Sequence, residues 1–255
     1  MLETLLALTT AHFLADFTFQ TPTMVRRKRE PQWFAAHIVI VTVLALLLSG
    51  SLDPRVWLVI GVTHAAMDFI KVRLMGDGLR PFLIDQSVHL AVIVGVTLWR
   101  PDTVADGWIG NLATPAQLLL YQAMVLVAAL AVTVKAGGIL IAKTLEHIAR
   151  PSPEASDVTA PAVDNAVGDK TEADARGLPG GGETIGALER ALILLFLLIG
   201  QPEGIGLMLA AKSVLRFSDR NARAHTEYVI IGTMLSFGWA LLTGVIARAA
   251  LTHWR

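Results

Sequence analysis

The stretch Trp33-Phe-Ala-Ala-His37-Ile-Val-Ile-Val-Thr-Val-Leu-Ala-Leu-Leu-Leu-Ser49 decides the fold. None of its 17 residues is charged. As a helix rising about 1.5 Å per residue it covers about 26 Å, close to the roughly 30 Å of hydrocarbon in a bilayer. Directly ahead of it stands Arg26-Arg27-Lys28-Arg29. A basic run beside an apolar helix marks the cytoplasmic side of a membrane, so residues 33–49 read as a membrane helix running outward.

The pattern repeats along the chain. Eight apolar segments can be drawn, at residues 2–20, 33–49, 55–74, 81–99, 116–135, 184–200, 205–217 and 227–250. Arg55 and Pro81 open theirs as helix starts do. The segment at 205–217 is short for a span and reads as tilted, re-entrant or extended by its flanks. Composition agrees: the 255 residues are 54% hydrophobic and 16% charged, where soluble proteins are about a quarter charged. Mean hydropathy is +0.57. The expected fold class is all-α, a polytopic membrane bundle of seven to eight transmembrane helices. A soluble globular enzyme is excluded, and so is a nucleic-acid binder working through a basic face. Lys and Arg number 21, as do Asp and Glu, and a balanced charge names no partner. The chain has no cysteine, which excludes disulfides, thiolate metal sites and cysteine nucleophiles. Any metal therefore falls to His, Asp and Glu. Met1-Leu2-Glu3 lacks the basic start of a secretory signal, and His12 and Asp16 interrupt the run behind it. Residues 2–20 thus read as a retained membrane helix.

The short loops orient the helices. Residues 51–54 have no basic side chain and residues 100–115 have two Asp against one Arg, so both read as outside. Lys71, Arg73 and Arg80 mark one cytoplasmic turn, and Arg216, Arg220 and Arg223 a later one. Both termini then lie outside if 205–217 crosses. Residues 150–183 are rich in Pro, Ala, Gly and acidic side chains, with too few large apolar ones to offset chain entropy. They read as a disordered cytoplasmic linker between a five-helix membrane unit, 1–149, and a three-helix unit, 184–255. Residues 136–147 read as a helical continuation near the interface.

Four of the seven histidines fall one per helix in the first four segments: His12, His37, His64 and His89. Three of them have an aspartate one turn away, in His12-Phe-Leu-Ala-Asp16, His64-Ala-Ala-Met-Asp68 and Asp85-Gln-Ser-Val-His89. At i,i+4 both side chains share a helix face. The first and third helices run inward and read His before Asp; the fourth runs outward and reads Asp before His. Antiparallel helices need that reversal to bring like residues to like depth. Asp16, Asp68 and Asp85 are then expected roughly 6–8 Å inside the cytoplasmic ends. His12, His64 and His89 lie one turn deeper, and His37 lies near the aspartates. A single intramembrane His or Asp is often a packing hydrogen bond. Seven at two matched depths point to a functional polar site, because an ionised Asp there is costly unless paired or metal-bound.

Imidazole and carboxylate without thiolate suit zinc, with manganese and iron as alternatives. Antiparallel helices giving His and carboxylate pairs are how bundles build metal cores. Seven groups exceed the three ligands and water of one catalytic zinc. Two metals fit the number, and so does one metal whose histidines are oriented by carboxylates. His12, His64, His89 and Asp68 are the expected direct ligands, with His37 beside them. Asp16 and Asp85 are expected as the catalytic carboxylates, with roles as ligands or supports also open.

These strings resemble a family of bacterial inner-membrane proteins known as domain of unknown function 3307. The resemblance is carried by His12-Phe-Leu-Ala-Asp16-Phe17 with Gln20, by His37, by His64-Ala-Ala-Met-Asp68 with Lys71, and by Asp85-Gln86-Ser-Val-His89. In the second half it is carried by Gly186-Ala-Leu-Glu189-Arg190, Ala211-Lys212-Ser213 with Arg216-Phe217, and Glu227-Tyr228 with Gly232-Thr233. It implies a multi-pass protein of the bacterial inner membrane and brings no activity. A looser likeness, in intramembrane His and Asp alone, is to membrane-bound metal-dependent hydrolases.

In the second half, Glu189, Arg190, Lys212, Arg216 and Glu227 are expected at one depth. They read either as an ion-pair network with snorkelling cations or as a pocket for a phosphate or lipid headgroup. Lys135 reads as a snorkelling anchor, and Arg26–Arg29 as a topology signal touching anionic lipid. The leading expectation is metal-assisted hydrolysis of a membrane-embedded or amphipathic substrate. A proton- or ion-coupled transporter using the cluster as a relay and a non-enzymatic scaffold are the alternatives. The lipid bilayer is the expected partner, and no nucleic acid.

Overall fold

The computed structural model describes residues 1–149, 180–216 and 223–254. Among the described residues every regular element is helical, as the apolar periodicity requires. Helix α1 (Leu2–Leu14) runs into a π-helical turn, Ala15–Phe19, and is followed by α2 (Pro22–Arg26) and α3 (Pro31–Ser49). Helix α4 (Pro54–Ile70) continues into a second π turn, Lys71–Met75, and α5 (Leu79–Trp99) leads through a short 3-10 turn to α6 (Thr114–Leu130). A third π turn, Ala131–Ala136, joins α6 to α7 (Gly137–Ala149). The chain closes with α8 (Gly181–Leu198), α9 (Glu203–Arg216) and α10 (Arg223–His253). The linker expected over 150–183 lies outside the described residues except at its last few positions.

Local chemistry sets the helix ends. Pro31 and Pro54 occupy first-turn positions, where a missing N–H costs nothing. Asp53 caps α4 by accepting from the Arg55 N–H at 3.0 Å. The Arg55 side chain also bonds that carboxylate, and the bond holds the Asp53 pKa down to about 2. Gly50 ends α3 with φ of 70°, a left-handed conformation that glycine adopts without strain.

Among the described residues four helices can cross a membrane by length and apolarity: Pro31–Ser49, Leu79–Trp99, the continuous Thr114–Ala149 and Glu227–His253. The other spans expected from the sequence fall on shorter or more charged helices. At 14 residues, α9 rises only about 21 Å. The distribution of polarity is that of a protein solvated by lipid. Val39, Val43, Leu47, Val62 and Leu98 are exposed, while His37, Asp68 and Asp85 are almost wholly buried.

The basic loops meet at one end and the acidic loops at the other. Arg73 bonds the Arg29 carbonyl, and Lys143 pairs with Asp77. At the opposite end Arg100 bonds Asp53 at 2.7 Å, the Trp108 N–H bonds the Gly50 carbonyl at 2.9 Å, and Thr4 bonds the Pro101 carbonyl at 2.7 Å.

Helix α1 is the hub of the first half, packed against α3, α5 and α6. Ala7, Ala11 and Ala15, spaced four apart, are buried to within 2%. Small residues on one face let helix backbones approach closely, as membrane bundles require. The second half docks through the third π turn. A π turn frees carbonyls from the regular helical pattern, and two of them take side-chain donors. Trp239 of α10 bonds the Val132 carbonyl, and Arg190 of α8 bonds the Val134 carbonyl, each at 3.0 Å. Between them Thr133 meets Thr243 hydroxyl to hydroxyl at 2.8 Å. Residues 136–147 thus continue a helix about 54 Å long when measured over Thr114–Ala149.

Trp239→Phe removes the side-chain donor to the Val132 carbonyl and leaves it the Gly137 backbone N–H. We expect a stability loss of about 0.6–2 kcal/mol, read as a lower thermal midpoint of the full chain in detergent. An unchanged midpoint would show that this bond does not hold the halves together.

Candidate metal centre

Four elements bring the polar residues together. His12 ends α1 and Asp16 stands in the π turn that follows it. His37 comes from α3, His64 and Asp68 from α4, and Asp85 and His89 from α5. All seven side chains are buried. Each His–Asp pair at i,i+4 shares a face, and packing α1, α3, α4 and α5 around one axis turns those faces inward.

Four donor atoms form the tightest group. His37 Nε2 and His64 Nε2 are 3.1 Å apart. Asp16 Oδ1 lies 3.4 Å from the first and 3.3 Å from the second. Asp68 Oδ2 lies 3.3 and 3.6 Å from the same two nitrogens. Ligands about 2.0–2.2 Å from a tetrahedral zinc are separated by about 3.3–3.6 Å; the four nitrogen–oxygen separations fall in that range, and the two nitrogens lie slightly closer together. Protons satisfy the group less well. Only the nitrogen–nitrogen contact is aligned as a hydrogen bond; Asp16 Oδ1 is buried without one, while Asp68 Oδ2 has the Lys28 ammonium 2.7 Å away. Buried polar atoms without partners are rare and call for a ligand or a water.

A second contact of the same kind joins His89 Nε2 and Asp85 Oδ1 at 3.2 Å, again without hydrogen-bond alignment. Three overlapping triads, His12/Asp16/His64, His37/His64/Asp68 and Asp16/Asp85/His89, each place three donor atoms within 4.8 Å of one another. The rings of His64 and His89 stack at 3.9 Å. On the far side of the histidines from the basic loops, a cavity of about 10 Å3 is walled by His12, His64, His89 and the apolar side chains of Leu8, Val41, Ile60 and Ile93. It has room for about one water.

Three residues outside the seven complete the cluster. Lys28 Nζ lies 2.7 Å from Asp68 Oδ2 and Lys71 Nζ lies 2.6 Å from Asp85 Oδ2. Gln86 Oε1 accepts from His12 Nε2 at 3.1 Å, while its nitrogen donates to Asp16 Oδ2 at 3.1 Å and Asp85 Oδ2 at 3.2 Å. Sequence reasoning placed Lys28 in a topology signal on the lipid surface. The structure instead folds α2 back so that this one lysine of the run reaches the cluster. Its spacing from Asp68 across two helices left no local signal. Gln86 stood in the quoted strings without an assigned role, and Lys71 was read only as marking a cytoplasmic turn.

Residues 4–110 match the model of a family described as Protein of unknown function (DUF3307). The matched stretch holds all seven His and Asp residues of the cluster with Lys28, Lys71 and Gln86. The likeness quoted in the second half of the chain falls outside the match. No curated protein and no solved structure matches the chain.

The charged residues of the second half are arranged differently from the cluster in the first. Lys212 bonds Glu189 at 2.5 Å. Arg190 is buried and bonds Ser236 at 3.2 Å besides the Val134 carbonyl. Glu227 is exposed. The side chain of Arg216 lies outside the described residues.

Lys28→Met leaves the Asp68 carboxylate buried without its counter-charge. We expect a loss of the order of 3 kcal/mol, seen in thermal melts. Adding Asp68→Asn to the same chain is expected to recover most of it; no recovery would mean that Lys28 acts elsewhere.

Proposed function

We propose that this is a multi-pass protein of the bacterial inner membrane that binds a divalent metal among His37, His64, Asp16 and Asp68 and hydrolyses a membrane-embedded or amphipathic substrate from the cytoplasmic side. The observation that carries the reading is the set of four buried donor atoms in which each carboxylate oxygen lies 3.3–3.6 Å from both imidazole nitrogens. Two imidazole nitrogens and two carboxylate oxygens suit zinc, with manganese and iron as alternatives.

A divalent metal supplies Lewis acidity and makes hydroxide available near neutral pH. The chain's own groups do the rest. His12, held at Nε2 by Gln86 with Nδ1 free, takes the proton of the attacking water and returns it to the leaving group. Asp16, expected from the sequence with Asp85 as a catalytic carboxylate, acts in this reading as a ligand, and Asp85 lies outside the four-donor set. Lys28 and Lys71, at the basic end of the cluster, steady the carboxylates Asp68 and Asp85.

The full chain purified without chelator is expected to retain divalent metal by mass spectrometry. His37→Ala and Asp16→Ala are expected to lose it. Metal-free wild type in monodisperse form would overturn the reading. His12→Gln is expected to keep the metal while lowering turnover of amphipathic ester or phosphoester substrates by about 100-fold or more. Loss of metal in that variant would make His12 a ligand instead.

Complete burial of the seven residues and a neighbouring cavity of about 10 Å3 favour a second reading, ion- or proton-coupled transport through the cluster. Uptake of Zn2+ into proteoliposomes that depends on a pH gradient would establish it over hydrolysis.

A further inference from the structure

Two buried groups are not used by the four-donor site. Asp85 and His89 are exposed by only 1% and 4%. Asp85 Oδ1 and His89 Nε2 approach to 3.2 Å, yet neither atom has a hydrogen-bond partner. Two donors that are close and misaligned for a shared proton are converging on a third point. The other oxygen of Asp85 is already occupied, by Lys71 at 2.6 Å and by the Gln86 nitrogen at 3.2 Å. Those bonds fix the carboxylate so that Oδ1 is the oxygen left free.

Asp16 supplies the missing third donor. It belongs both to a triad with Asp85 and His89 and to the group around His37 and His64. The nitrogen of Gln86 bonds Asp16 Oδ2 and Asp85 Oδ2 together, at 3.1 and 3.2 Å, and so sets the two carboxylates side by side.

We propose a second divalent-cation position formed by Asp85, His89 and Asp16, with Asp16 bridging it to the first. The inference rests on the metal centre proposed above. It turns a single ion into a carboxylate-bridged pair. Paired ions of this kind hold the attacking and leaving oxygens of a phosphoester together, so a phosphoester is the substrate class the pair would take. Lys71 and Gln86 are positioning residues: each touches a ligand carboxylate and orients the oxygen that faces the ion.

The test uses the full chain in detergent, stripped with chelator and titrated with Mn2+ alone. Wild type is expected to bind two equivalents per chain, and its electron paramagnetic resonance spectrum is expected to show the multiline pattern of an exchange-coupled pair. His89→Gln, which leaves the Lys71–Asp85 pair in place, is expected to bind one equivalent with the six-line spectrum of an isolated ion. Asp85→Asn is expected to behave in the same way. One equivalent in wild type, or two in His89→Gln, would overturn the second position and leave the first standing. No bound Mn2+, together with metal-free wild type as purified, would overturn both.

Discussion

Three carboxylates lie in the interior of a helix bundle whose outer surface is apolar, and every other feature of the first half answers to that. An ionised Asp removed from water and left alone is too costly to keep. Here each has a counterpart from another element: Lys28 for Asp68, Lys71 for Asp85, and Gln86 with two histidines for Asp16. The partners come from the turn after α2, the second π turn, α3, α4 and α5. Bringing them to one place demands close helix packing, and the alanine face of α1 allows it. Two ammoniums stand against three carboxylates, which leaves one carboxylate without an ammonium of its own. Such a carboxylate in a buried site lined by imidazoles makes an environment suited to a cation.

The three π turns sit at the places where function and assembly meet. The first holds Asp16, the second begins at Lys71, and the third presents carbonyls to the second half of the chain. A π turn widens the helix by one residue and shifts the faces on either side of it. Arg190 serves that third turn rather than Glu189, its neighbour in sequence, which pairs with Lys212 instead. The charges of the second half, grouped at one depth by the sequence, are thereby divided between two separate jobs.

Much of the first half was legible in the sequence. The period of the apolar segments gave helices, and the spacing of His12 with Asp16, His64 with Asp68 and Asp85 with His89 put each pair on one face. The reversed order in the third pair followed from chain direction, which the basic loops set. Less could be read about the partners. Lys28 lies in a run of four basic residues, and nothing local separates it from Arg26, Arg27 and Arg29. Its contact depends on how α2 turns back, which is decided by Thr21 capping that short helix and by the packing beneath Met24. The number of helices able to cross a membrane by length and apolarity, four among the described residues, is also lower than the apolar segments alone suggested. The π turns and charged positions interrupt the runs.

By itself, then, the sequence determined an all-helical chain built for lipid, with imidazole and carboxylate as its only metal-binding chemistry and one side of the bundle as its location. These follow from period, composition and charge, which are properties of neighbouring residues. Only the tertiary structure decided which atoms meet. It joined His37 to His64 across 27 positions, made Asp16 common to two groups of donors, and sent Lys28 inward. Such contacts depend on helix rotation and approach to within a few tenths of an ångström, and the packing of the whole bundle sets those.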